Sequence, residues 1–166
     1  MNDLYVECLV QRKASVGLIL LKYICFMLCI ALLILNFMTG KFLLFAAAMV
    51  CAVAGYYFMT EADVEFEYLY VDREITVDKV ISKSRRKEKA NFQVDKIQIL
   101  APMESVYLQE YTNKSLKVFD YSDGEKEHAD TTYVMIYEGN TKVILSPDKA
   151  FLEALKNVAP RKVFLH

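Results

Sequence analysis

The sequence predicts a membrane α-hairpin of two transmembrane helices, followed by a mainly-β barrel of about seven strands with a C-terminal helix. Three observations carry this. Residues 16–38 and 42–59 are apolar stretches parted only by Thr39, Gly40 and Lys41. Beyond residue 59 the apolar residues switch to a period of two, the mark of half-buried strands. Near the end, Phe151, Leu152, Leu155 and Val158 recur at helical spacing.

The expected organisation has three parts: residues 1–14 as a cytoplasmic or interfacial N-terminus, 15–60 as the hairpin, and 61–166 as the β domain. In the first part Leu4, Tyr5, Cys8 and Leu9 share a helical face, with Asp3, Glu7 and Gln11 elsewhere, so a short interfacial helix is expected. The two apolar stretches, about 23 and 18 residues long, each suffice as a helix to cross a hydrocarbon core of about 30 Å. The first is longer than a signal-peptide core and a second span follows at once, so it is read as retained. Lys22 lies one to two turns inside the first span, from where a lysine snorkels to the headgroups. Asn36 mirrors it near the turn, at the headgroups or capping the turn with Gly40.

Arg12 and Lys13 flank the first span, whereas Lys41 alone occupies the turn. The bias favours a cell-membrane protein with two spans and both termini cytoplasmic. Tyr56 and Tyr57 close the second span as an interfacial aromatic belt. A short acidic connection follows, Glu61, Asp63, Glu65 and Glu67.

Within the domain, Val64, Phe66, Tyr68 and Tyr70 alternate as a strand, and Asp72-Arg73 makes a polar turn. Ile75, Val77, Val80 and Ile81 form the next strand, residues 82–88 a charged loop, and 89–94 a third strand, with 97–100 leading to a break at Pro102. Residues 106–111 and 116–121 read as two more strands, and a polar loop containing Asp123-Gly124 runs on to Asp130. Residues 131–137 and 141–145 are joined through Gly139-Asn140, a hairpin signal. Ser146 as N-cap with Pro147 at the first helical position starts the final helix, which stops before Pro160.

Seven short strands and a closing helix follow the element order of a pleckstrin-homology (PH)-like barrel. The stretches Val-Glu-Phe-Glu-Tyr-Leu-Tyr-Val (64–71), Ile-Gln-Ile-Leu-Ala-Pro (97–102) and Asn-Val-Ala-Pro-Arg-Lys-Val (157–163) resemble an uncharacterised bacterial membrane protein family with a two-helix anchor and a PH-like domain. The resemblance covers nearly the whole chain and implies the fold, with 61–166 as the PH-like domain. It brings no catalytic or ligand residues.

Charge narrows the partners. The chain carries a net charge of −1, and the residues after 59 hold 16 basic and 19 acidic side chains. Such a domain is not a bulk polyanion binder, so nucleic acid is not expected as a partner. Its one concentrated charge is the basic run Lys83, Arg85, Arg86, Lys87 and Lys89. These residues are the candidate contact with anionic lipid headgroups, each cation near the surface contributing about 1 kcal/mol; the plain alternative is a solvated loop partly neutralised by Glu88. The domain tyrosines Tyr68, Tyr70, Tyr107, Tyr111, Tyr121, Tyr133 and Tyr137 are expected as strand residues with buried rings and wet hydroxyls, a tyrosine-lined peptide groove being the sharper reading.

No catalytic, cofactor or metal site is expected. His128 and His166 are the only histidines, and no Gly-rich phosphate loop or Gly-x-Ser-x-Gly elbow is present. Asp120 with Asp123, and Glu125 with Glu127, read as ordinary solvated charge. All four cysteines, Cys8, Cys25, Cys29 and Cys51, lie in or beside the hairpin, so no disulfide framework is expected in the domain. Cys8, near the membrane surface, is a candidate for palmitoylation. The reading is a non-enzymatic adaptor or scaffold that holds a protein-binding domain at the cytoplasmic membrane face, its partners being the bilayer and a membrane or cytoplasmic protein. The alternatives are lipid-headgroup binding through 83–89, or an accessory subunit of a larger membrane complex using the hairpin as its interface. Gly17, Ala31, Ala46 to Ala48, Ala52, Ala54 and Gly55 would allow close helix approach there.

Overall fold

A computed structural model describes residues 5–125 and 131–165. The chain divides into two compact units: a helical one built on residues 13–64 with 81–83, and a β-rich one built on the N-terminal strand, residues 65–80 and the chain from Ser84 onward.

The helical unit holds α1 (Val16–Thr39) and α2 (Phe42–Ala62). At 24 and 21 residues they are roughly 36 and 32 Å long, and both are long and apolar enough to cross a membrane. Gly40 ends α1 with φ +63°, a conformation glycine takes without a Cβ penalty, and its N–H donates to Asn36 O at 2.8 Å. The turn is therefore capped by the backbone of Asn36. Ala48 and Gly55 of α2 are buried, and a Cβ on Gly55 would stand 3.4–3.5 Å from Cys25 and Phe26 of α1. These two members of the small-residue stripe serve the packing of the hairpin on itself.

The β-rich unit has two four-stranded sheets. The first runs in the order β1 (Val6–Arg12), β2 (Val64–Val71), β3 (Glu74–Ile81), β4 (Arg85–Gln93). The second runs β5 (Ile97–Pro102), β7 (Tyr133–Tyr137), β8 (Thr141–Leu145), β6 (Lys117–Asp120), with β6 parallel to β8 and the other pairings antiparallel. Three hairpin turns place both central residues at positive φ, which matches the right-handed twist of the flanking strands: Asp72-Arg73, Ser82-Lys83 and Glu138-Gly139. The last turn is thus one residue earlier than the expected Gly139-Asn140.

Several expectations are corrected. Val6–Arg12 is a strand, not part of an interfacial helix, and folds with the β domain, while Asp3 and Leu4 lie outside the described residues. Val6, Cys8 and Val10 alternate with exposed Glu7, Leu9 and Gln11, and pairing with β2 selects that period over the helical one. Residues 106–111 are not a strand. Ser105 Oγ accepts from Tyr107 N and caps a 3₁₀ turn, Val106–Leu108, that continues into α3, Gln109–Thr112. Nor are residues 82–88 a loop, since β4 already begins at Arg85. Glu65 and Glu67 are no linker either: they lie in β2 and are buried.

The core lies between the sheets. Tyr68, Tyr70, Ile75 and Val77 of the first sheet, with Leu100, Met135, Val143 and Leu145 of the second, are buried. Helix α4 (Lys149–Val158) supplies the buried Phe151, Leu152 and Leu155, each worth about 1.5–3 kcal/mol of apolar burial. Phe151 meets Tyr68 at a ring separation of 5.9 Å. The N-cap is Asp148, whose Oδ1 accepts from Phe151 N at 2.8 Å, so the helix starts two residues after the expected Ser146 cap. Ser146 Oγ instead accepts from Asp123 N. Tyr68 O–H donates to Tyr121 O at 2.5 Å and its oxygen accepts from Ser146 N at 3.3 Å, so this hydroxyl is buried and bonded rather than wet. Burial pushes its pKa upward.

Candidate functional site

Three features of the β-rich unit are candidates for chemistry. The first is the basic run. Lys83 sits in the β3–β4 turn, and Arg85, Arg86, Lys87 and Lys89 lie on β4, the edge strand of the first sheet. All five are exposed. They are not equivalent, because Arg86 turns to Glu67 while the other four carry no hydrogen bond or ion pair among the described residues. Charge on an edge strand also discourages pairing with another chain, which is the structural reason for lysines there.

The second feature was hidden in the sequence. Glu67 is 1% exposed and lies on the β2 face opposite Phe66 and Tyr68. Arg86 Nη2 stands 2.8 Å from its Oε2 and donates to its Oε1 at 2.9 Å. Glu7 of β1 hydrogen-bonds the Glu67 carboxyl and accepts from Tyr5 O–H at 2.8 Å. Burial first, then the bond to Glu7, pushes the Glu67 pKa up to about 7. Glu7 moves down, held as the carboxylate by its bonds from Glu67 and Tyr5. The two shifts run in opposite directions, so a proton shared between these carboxyls favours Glu67 and the negative charge favours Glu7. Asp78 of β3 is also buried, and its Oδ1 has no hydrogen-bond partner among the described residues. Nothing in the sequence pattern marks these acids, since on an alternating strand they read as a solvated face.

The third is a groove of about 250 Å³ on the outer side of the second sheet. Its floor is Leu108, Val134 and Ile136, part of a cluster with Ile99 and Ala101 that packs away from the main core. Leu116, Val118 and Met103 form its walls, and Lys114 and Lys142 its polar rim. Among the described residues no carboxylate lines it. Tyr111 is the one domain tyrosine in it, so it is not a tyrosine-lined groove. Its residues are scattered from 103 to 142, and only the sheet brings them together.

The remaining expectations are placed as follows. Asp120 is no loose surface charge: its Oδ2 pairs with Arg12 at 3.2 Å and its Oδ1 accepts from Ser122 N and Oγ. Asp123 Oδ1 accepts from Glu125 N at 3.0 Å. Cys8 belongs to the β domain, is 4% exposed and sits 3.3 Å from Asp148 N, so it is a core residue and not a palmitoylation site. Burial raises its thiol pKa. Glu127, His128 and His166 lie outside the described residues.

Two sheets around one core, closed by a C-terminal helix, define a PH-like domain, here joined to two helices fit to cross a membrane. A family model described as "Bacterial PH-like domain (DUF6106)" matches residues 2–165. The chain belongs to that family. No curated protein and no solved structure matches it.

Proposed function

We propose that the chain is a membrane-anchored, non-catalytic adaptor, with α1 and α2 as a two-span anchor and the PH-like domain holding a protein partner at the cytoplasmic face. The observation that carries this reading is the pairing of β1 with β2. Three residues separate β1 from α1 and one separates α2 from β2, yet the strands are neighbours in one sheet. A sheet cannot be divided by a bilayer, so both ends of the hairpin lie on one side, as two crossings require. Tied at both ends, the domain is confined near the membrane, which raises its effective concentration for a partner there. The Arg12-Lys13 pair favours the cytoplasm as that side.

In-cell photo-crosslinking of the full-length protein tests it, with p-benzoylphenylalanine placed at several exposed domain positions or in α1 and α2. Protein crosslinks from domain positions support the adaptor. Crosslinks from the helices alone favour the accessory-subunit reading and overturn it. A second reading, anionic-lipid contact, is favoured by the exposed Lys83, Arg85, Lys87 and Lys89, four cations without an ion pair among the described residues.

A further inference from the structure

We propose that the groove on the outer side of the second sheet binds an extended protein segment in which a carboxylate neighbours an apolar side chain. This rests on the adaptor reading and names the chemistry of its partner. The floor of Leu108, Val134 and Ile136 takes an apolar side chain, while Lys114 and Lys142 present two cations with no carboxylate among the described lining residues. Lys114 Nζ is held 4.5 Å over the Tyr111 ring, and Tyr111 O–H is fastened to Gln98 Oε1 at 3.1 Å, so this cation is oriented in advance. Lys142 has no hydrogen bond or ion pair among the described residues. The site is therefore electrostatically complementary to an acid beside a hydrophobe.

An extended main chain is the form that the sheet edges favour. The β5 edge is occupied by the chain's own tail, with Leu100 N donating to Lys162 O and Phe164 N to Leu100 O, both at 2.8 Å. The opposite edge, β6, pairs with no further strand among the described residues. Lys117 N and Tyr121 N turn inward to Asn140 O and Ile144 O, and Arg12 Nη1 covers Asp120 O. Between them Val118, 57% exposed and lining the groove, has its backbone groups on the outward side of a ladder that uses alternate residues. A bound strand takes one donor and one acceptor from Val118, its apolar side chain from the floor and its carboxylate from the lysines.

The test is selection of a phage-displayed library of random ten-residue peptides on the full-length protein in phosphatidylcholine nanodiscs. Selected peptides are expected to carry Asp or Glu within two residues of a large apolar residue. Their affinity should fall about tenfold on Lys114→Glu with Lys142→Glu, and several-fold on Lys114→Ala with Lys142→Ala, Lys114 being exposed and Lys142 half-buried, each pair checked for an unchanged melting temperature. A pool without acidic enrichment, or affinities unmoved by both pairs, overturns the proposal. Displacement of the selected peptides by free oleate at the same concentration overturns it in favour of an acyl-anion site. Failure of the groove and failure of the adaptor are told apart by in-cell crosslinks: from position 87 but not 118 in the first case, from neither in the second.

Discussion

Glu67→Gln is the most informative perturbation of this fold. The Glu67 carboxyl is 1% exposed, and burial together with its bond to Glu7 raises its pKa from the ordinary 4.5 to about 7. The folded state thus holds the proton more tightly than the unfolded chain. Its contribution is complete below pH 4.5 and is lost as pH rises through about 7. A shift of that size corresponds to about 3 kcal/mol across the window. Glu7 works in the opposite sense: its lowered pKa makes its contribution disappear only on acidification below 4.5, a separate range. Glutamine at position 67 keeps a donor toward Glu7 and an acceptor toward Arg86 Nη2, and it cannot ionise. The variant should therefore melt with the wild type near pH 5 and above it near pH 8, by roughly 10 °C at about 4 °C per kcal/mol. The assay is thermal unfolding of the full-length protein in uncharged detergent micelles, followed by near-UV dichroism of its 11 tyrosines, the chain having no tryptophan. Parallel melting curves for the two proteins across that pH range would refute the shared-proton account.

Four further outcomes are expected. Tyr68→Phe strands Tyr121 O and Ser146 N in the core and should cost about 1–3 kcal/mol in the same melts; a loss under 0.5 or so would mean that the hydroxyl is dispensable. Asp148→Ala removes the cap of α4 and should cost about 1 kcal/mol, with Asp148→Ser recovering most of it. If β4 touches lipid, amide exchange across residues 83–89 should slow in nanodiscs containing phosphatidylglycerol but not in pure phosphatidylcholine, and charge reversal at Arg85, Lys87 and Lys89 should abolish the difference. Arg86 is left out because its guanidinium is committed to Glu67. Protease added outside spheroplasts should leave the domain intact, and its digestion would overturn the proposed cytoplasmic orientation.

The hairpin was legible because its signal is local: length and apolarity suffice, and α1 and α2 match the expected stretches, α2 running three residues further. The strand set 64–71, 74–81, 133–137 and 141–145 was equally visible, since alternation and polar turns act within a few residues. Short segments with two admissible periods were not. Val6–Arg12 became a strand through its neighbour β2, and Val106–Leu108 is a 3₁₀ turn that Ser105 caps and whose Leu108 packs in one cluster with Val134 and Ile136. The two acids that look like a linker, Glu65 and Glu67, are buried, because one face of a strand is exposed or covered according to what lies over it, which the strand's own sequence does not encode.

By itself the sequence determined two helices fit to cross a membrane and a β domain closed by an amphipathic helix, properties set by periodicity and hydropathy along a continuous stretch. Tertiary structure alone decided that the N-terminal strand rejoins the domain across the hairpin, that Glu7, Glu67 and Arg86 meet, and that Lys114 and Lys142 rim one apolar groove. Each of these depends on pairing between residues far apart in the chain, where register and burial, rather than local propensity, set the outcome.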